Sequence, residues 1–267
     1  MTAPHPGTIQ EAIATILAAL KVAPLPDTVD TVRTGDPTRP LTGVVTTFMA
    51  TSAVITRAAE LGANLIITHE SAFYTHREDT AWLADDPVYQ AKRRLIDAHG
   101  IVIWRFHDSW HRTRPDGLVL GLLERLGWGH DGAVHQAYVA TLEPRPLVEL
   151  AAEIKTRLDV PAVRVAGPDD LLCRRVGLLV GAVGGRMQIA ALGRADVDAV
   201  ICGEINEWET SAYVRDACLL GQPKGLIVAG HAASEEDGMA YLARWLRPHL
   251  PDVPITPVPA GDPLRSV

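Results

Sequence analysis

The sequence predicts an α/β fold, and three observations carry that prediction. Short, wholly apolar runs such as Asn64 to Thr68 (NLIIT), Val176 to Val180 (VGLLV) and Gly225 to Ala229 (GLIVA) have the length and β-branched content of strands buried on both faces. Segments with helical spacing of apolar residues alternate with these runs along the chain. Apolar residues make up 47% of the 267 and charged residues 21%, so there is enough material for one large core or two interlocked lobes, and a disordered or fibrous chain is excluded.

The elements follow in order. Ile9, Ile13, Ile16, Leu17 and Leu20 fall on one face of a helix that Thr8 is placed to cap. A stretch rich in Pro, Asp and Thr ends it. Gly43 to Phe48 reads as a strand, Thr51 to Leu61 as a helix and Asn64 to Thr68 as the next strand, a β-α-β unit. The rhythm repeats with a helix over Pro87 to His99, a strand at Ile101 to Phe106 (IVIWRF) and a helix over Leu118 to Leu126 that stops at Gly127. Between His130 and Leu142 the pattern turns strand-like, and Leu147 to Leu158 is an amphipathic helix. A second lobe over residues 130–189 is therefore expected, with 1–129 and 190–267 forming the other. Val176 to Val180, the turn Gly181 to Gly185, a helix, the strand Ala199 to Cys202, a helix from about Glu207, the strand Gly225 to Ala229 and a helix over Ser234 to Leu246 complete the pattern. The Pro-rich remainder is expected to run over the surface.

A net charge of −7 with pI 5.8 argues against a surface that grips nucleic acid, which needs clustered Lys and Arg. Cys173, Cys202 and Cys218 are odd in number and lack CxxC spacing, as expected of reduced thiols in a reducing compartment. The first residues lack the basic and apolar regions of a secretory signal, and no apolar run reaches the roughly 18 residues needed to cross a bilayer. A cytoplasmic protein without a membrane partner is expected.

Three groups of His and carboxylate stand at or just past predicted strand ends: His69-Glu70, His107 through His111, and His231 through Glu235. Ligands of open α/β sheets bind outside the carboxyl ends of strands, so these groups are candidates for one site. His231 and Glu235, four apart near a helix start, can aim the same way. Each group alone is a pattern that also occurs by chance on helix surfaces. Gly181 to Gly185 lacks the Lys-Ser/Thr ending of a phosphate loop and reads as a tight turn. There is no Gly-x-Ser-x-Gly elbow.

These motifs resemble the Nif-three-like family of dinuclear metal proteins, some of which carry the name GTP cyclohydrolase 1 type 2 homologue. The family's strand followed by Thr-His-His is similar to Leu65 through Glu70. Its His-x-x-x-Asp segment resembles His107 through His111, followed by Asp116-Gly117. Its Gly-Glu segment resembles Gly203-Glu204, and its Gly-His-x-x-x-Glu segment is intact as Gly230, His231 and Glu235. Two ligand positions depart from the pattern: Glu70 stands where the second His is usual, and His111 where the Asp is usual. The departures compensate, so the resemblance implies two divalent ions held by His69, Glu70, His111, His231 and Glu235. Two ions bring +4 and two carboxylates −2, leaving about +2 for an anion such as hydroxide or phosphate. Imidazole and carboxylate donors suit Zn, Mn, Fe or Ni.

Alternatives stay open within this reading. Asp108 could replace the missing Asp with His111 outside. His107 could support a ligand, fill core or be a ligand itself. Glu204 and Glu207 could carry protons or merely favour a helix start. His76 and Arg77 could line a cleft or an exposed loop, and Trp110 and Trp208 could wall a pocket or fill core. The resemblance implies the Nif-three-like fold with the metal site in a cleft, a toroidal homohexamer, and a hydrolase acting on a nucleotide or other phosphorylated small molecule with Glu235 or Glu204 handling protons. A non-catalytic regulatory or scaffold ring is the alternative, and a site reduced to one ion or none is a third.

Overall fold

The computed structural model describes residues 7–77, 79–134 and 137–265. In chain order the elements are α1 (Ile9–Leu20), β1 (Val32–Thr34), β2 (Val44–Thr47), α2 (Ser52–Glu60), β3 (Leu65–Thr68), α3 (Pro87–His99), β4 (Val102–Arg105), α4 (Asp108–His111) and α5 (Gly117–Leu126). There follow β5 (Ala133–Val134), β6 (Ala137–Pro146), α6 (Leu147–Leu158), β7 (Arg164–Ala166), β8 (Leu172–Leu179) and α7 (Gly185–Leu192). The chain closes with β9 (Ala199–Cys202), α8 (Ala212–Leu219), β10 (Gly225–Val228), α9 (His231–Leu246) and β11 (Ile255–Pro257). The predicted α/β class holds, as two mixed sheets.

Two compact units share the chain, each made of two segments. The first comprises the chain up to Gly117 together with Met239–Ala260, and the second Leu118–Gly238 with the chain from Gly261 on. The divisions thus fall near 117 and 238, where the sequence suggested 129 and 189. The reason is strand pairing: β9 and β10 hydrogen-bond in series to β8, which draws residues 199–228 into the second unit.

In the first unit the sheet order is β1-β4-β3-β2-β11, with β4, β3, β2 and β11 parallel and β1 antiparallel at the edge. β2, β3 and β4 are buried along their whole length, and Thr46, Thr47, Thr68 and Arg105 are the polar side chains buried with them. Their register sets Thr47, Thr68 and Arg105 side by side, so that the residues following β3 and β4 emerge at one level. Ile55, Ile66, Ile96 and Ile103 pack together beneath. Thr8 caps α1 in a full capping box with Glu11. The tail departs from expectation, because Ile255–Pro257 adds a parallel strand beside β2; Pro257 tolerates this by occupying the last position of an edge strand.

In the second unit the order is β5-β6-β8-β9-β10-β7. β8, β9 and β10 are parallel, and β6 and β7 are antiparallel to β8 and β10. Leu179, Cys202 and Val228 end the parallel strands in register. The strand-like region from His130 is realised in β5 and β6, and its residues 135 and 136 lie outside those described. α9 begins at His231, three residues before the predicted start. Among the described residues, no helix is long and apolar enough to cross a membrane.

Candidate metal centre

His69 follows β3 directly, and its ring is wholly buried. His107 precedes α4, and His111 ends it one turn later. The three rings converge: His69 and His107 stack with centroids 4.4 Å apart, and His111 stands edge-on to them at 5.0 and 4.9 Å. One ring nitrogen from each lies within 4.8 Å of the others, a donor set that fits a divalent ion preferring imidazole. Other side chains hold two of these rings by Nδ1. His107 Nδ1 is 2.9 Å from Asp108 Oδ1, and His111 Nδ1 is 3.0 Å from Asp116 Oδ2.

Asp108 is itself anchored. Its Oδ2 accepts from the Thr28 hydroxyl and the Val29 amide. Burial alone would raise its pKa, but the bonds from His107, Val29 and Thr28 together bring it below the usual carboxylate value. Asp30 seats the start of α4, accepting the amides of His107 and Asp108 on Oδ1 and that of Ser109 on Oδ2. The His107 pKa is lowered, first by burial and then by the neighbouring His111. The Asp108 bond and Glu70 oppose this without reversing it, so the ring is kept in the neutral, ligand-ready form.

Glu70 faces Arg105 with one oxygen and His107 with the other. Its Oε2 pairs at 3.0 Å with the fully buried guanidinium of Arg105, and its Oε1 stands 3.7 Å from His107 Nε2. Arg105 also donates to the carbonyls of His69 and His76, tying the segment after β3 to the end of β4. His76 and Arg77 are exposed. Trp110 is core, packed among Phe106, Tyr241 and Trp245.

In the second unit, the loops after β8, β9 and β10 carry Gly181, Gly203 and Gly230, and the last leads into α9. His231 Nε2 is 3.1 Å from Glu235 Oε2 one turn on, and its Nδ1 is 2.7 Å from Glu204 Oε1. Glu235 is 2% exposed, whereas the Glu204 side chain is 56% exposed. The glycines make this arrangement possible. A Cβ at Gly181, where φ is +67°, would run into the Glu235 carboxylate and reach 3.2 Å from His231 Nε2. One at Gly203 would stand 2.6 Å from Ser234 Oγ and 2.7 Å from the Gly181 carbonyl. Ser234 ties α9 down by accepting the Gly181 amide at 2.9 Å. Glu207 pairs instead with Arg164, and Trp208 is 79% exposed, neither core nor wall.

The structure therefore gathers His69, Glu70 and His111 in the first unit and His231, Glu235 and Glu204 in the second. Asp108 sits behind His107 as its hydrogen-bond partner. Sequence reasoning gave no role to Asp30, Thr28, Arg105 or Ser234. Asp30 and Thr28 lie almost eighty positions from their partners, and no local spacing could have signalled them.

The profile of Duf34/NIF3 (NGG1p interacting factor 3) matches residues 13–261. A protein of Escherichia coli strain K12 named GTP cyclohydrolase 1 type 2 homolog is 26% identical over 226 residues, covering 82% of this chain and 85% of its own. Its namesake from Vibrio cholerae serotype O1 is 29% identical over 76% of this chain and 79% of its own. The crystal structure of a Bacillus cereus protein related to NIF3 superposes with a TM-score of 0.79 at 16% identity, covering the whole of both chains, which shows the shared fold. With a family match spanning nearly the whole sequence, the chain belongs to the Duf34/NIF3 family.

Proposed function

We propose that the chain is a dinuclear metal protein and a metal-dependent hydrolase, acting on a nucleotide or other phosphorylated small molecule in the manner suggested by the name of its GTP cyclohydrolase 1 type 2 homologues. The observation that carries this reading is the convergence of three imidazoles, His69, His107 and His111, the last two held at Nδ1 by carboxylates, the support that metal-binding histidines need. His69, Glu70 and His111 from the first unit, with His231 and Glu235 from the second, would hold two divalent ions of the Zn, Mn, Fe or Ni type. When bound, such a pair supplies Lewis acidity and a net positive charge for an anionic substrate.

The chain's own residues divide the remaining work. Asp116 holds His111 by Nδ1, so that Nε2 is the nitrogen that would meet an ion, and Glu204 holds His231 by Nδ1 while His231 Nε2 faces Glu235. Glu235, almost wholly buried, is suited to a ligand's role. Glu204, hydrogen-bonded to His231 on one side and open to solvent on the other, is the better placed to exchange a proton with water during turnover.

The test is incubation of metal-loaded protein with GTP and a panel of phosphoesters beside a Glu235→Ala control. Turnover lost in the control supports the hydrolase. Full metal content with no turnover above the control assigns the chain to the alternative, a non-catalytic metal-binding regulator or scaffold. The reduced state expected of the three cysteines supports a cytoplasmic setting. The toroidal homohexamer that the family resemblance implies is checked by light scattering.

A further inference from the structure

We propose that His107 is itself a metal ligand, so that the first ion is held by three imidazoles, His69, His107 and His111, together with one oxygen of Glu70. The inference rests on the metal-centre reading above and goes beyond its ligand set, in which His107 has no part.

Four observations point the same way. First, His107 is no spectator packed against apolar core: its ring stacks on that of His69 and meets that of His111, and one nitrogen from each of the three lies within 4.8 Å of the others. Three imidazoles at this spacing repel one another if protonated and, when neutral, present lone pairs to a common centre. Second, His107 is oriented as ligand histidines are. Asp108 takes its Nδ1 at 2.9 Å, which fixes the tautomer with Nε2 as the free donor, and Thr28 and Val29 hold Asp108 in place. Third, the backbone beneath is locked by Asp30, whose carboxylate accepts three successive amides from His107 to Ser109. This seat fixes the direction in which the ring leaves the chain, a feature that a merely space-filling side chain does not require.

Fourth, Glu70 and His107 converge. Arg105 pairs with Glu70 Oε2 at 3.0 Å, and Glu70 Oε1 stands 3.7 Å from His107 Nε2. Two donors bound to one ion at about 2.1 Å lie about 3.0 to 3.4 Å apart at right or tetrahedral angles, so a small adjustment brings both onto one metal. Because imidazole is neutral, the added ligand leaves the charge of the centre unchanged. It does shift metal preference, since three nitrogens with one oxygen favour zinc, cobalt or nickel over manganese or magnesium.

The test uses the full chain, stripped of metal and titrated with zinc, for wild type, His107→Gln and Glu235→Ala. Variant folding is checked by circular dichroism of the metal-free proteins. Wild type should take up about two zinc ions, and His107→Gln should bind one of them about 100-fold more weakly. Wild type should also prefer zinc to manganese at the site that the variant loses. A second measurement on wild type alone guards against a variant that does not fold. Zinc should shield His107 from diethylpyrocarbonate, read by peptide mass spectrometry, while the exposed His99 reacts equally with and without metal. Two ions bound with unchanged affinity in His107→Gln, or a His107 that zinc leaves fully reactive, would overturn the assignment of His107 alone. A wild-type chain that takes up no zinc, manganese or iron would overturn the metal-centre reading and this inference with it.

Discussion

The two units solve one architectural problem by different means. Each has parallel strands ending in register, Thr47, Thr68 and Arg105 in one and Leu179, Cys202 and Val228 in the other, and past those ends stand His69, His107 and His111 in the first and His231 in the second. The first unit positions its histidines with side chains: Asp30, Asp108, Asp116 and the buried Arg105 hold loops and rings from several directions. The second positions His231 and Glu235 with backbone, using glycines to let three loops approach one another and the start of α9. Side-chain scaffolds fail when a charge loses its partner, and glycine scaffolds fail when a methyl group is added.

The largest effect that separates the two designs is expected from Arg105. Arg105→Met removes a fully buried cation that serves Glu70 and two carbonyls, and leaves those acceptors without it. Breaking one side of a buried ion pair costs about 3 to 5 kcal/mol. Urea denaturation should read a loss near the lower figure, because the Glu70 side chain retains 16% exposure. A loss below about 1 kcal/mol would mean that the first unit does not depend on this pair.

Gly203→Ala is the counterpart in the second unit. The new methyl meets the Gly181 carbonyl at 2.7 Å and Gly181 Cα at 2.9 Å, so backbone must move and not only a side chain. About 2 to 3 kcal/mol of stability should be lost in the same measurement, the upper range of overpacking costs. The displaced loops should also weaken whatever His231 and Glu235 bind. A neutral substitution would show that the glycines are not what sets the approach.

Carboxylates behind the imidazoles sharpen the comparison further. The Asp116 side chain is 11% exposed where it meets His111, whereas that of Glu204 is 56% exposed where it meets His231. On the metal-centre reading, Asp116→Ala should weaken metal affinity about 10- to 100-fold, as loss of an outer-shell partner does. Glu204→Ala should cost less than about 10-fold, because water can replace an exposed partner, and its effect should fall on turnover. Calorimetric titration of both variants with zinc decides it, and equal losses would refute the difference in solvent access.

What the sequence made legible follows the same division. The buried strands were readable because parallel strands covered on both faces must be continuously apolar, and LIIT, AVIC and GLIV are. His69, Glu70, His111, His231 and Glu235 stand at or just past strand ends, where ligands of α/β sheets gather, and the family resemblance is what singles them out as candidate ligands. His107 was underweighted because a histidine beside an aspartate looks like any helix start, and only the distant Thr28, Val29 and Asp30 show it to be clamped. Gly181 read as a tight turn, which it is, but its closeness to Glu235 is a tertiary fact between residues over fifty positions apart. β1 and β7 are three-residue edge strands paired across the chain, too short to impose a period, and β11 was hidden by the prolines around it. The expected lobe boundary at 189 differs from the division near 238 because β9 and β10 carry the same apolar signature as the strands of the first unit, and sequence alone does not say which sheet they join.

The smallest effect can be read without any variant and then used to monitor each unit apart. All three thiols belong to the second unit, while the deeply buried Trp104 and Trp110 belong to the first. Burial pushes the thiols of Cys173 and Cys202 up to about 12, and for Cys202 the charge of Arg164 opposes this only in part. At pH 8, on the order of one such thiol in ten thousand is ionised, and thiolate is the reactive form. Partly exposed Cys218 should therefore react with a disulfide reagent first, giving about one equivalent per native chain, with the other two following only as the second unit opens. Gly203→Ala should accelerate Cys202 labelling while leaving buried tryptophan fluorescence native, and Arg105→Met should do the reverse. If both substitutions move both signals together, the two units open as one, and the contrast between side-chain and backbone scaffolding does not extend to their stability.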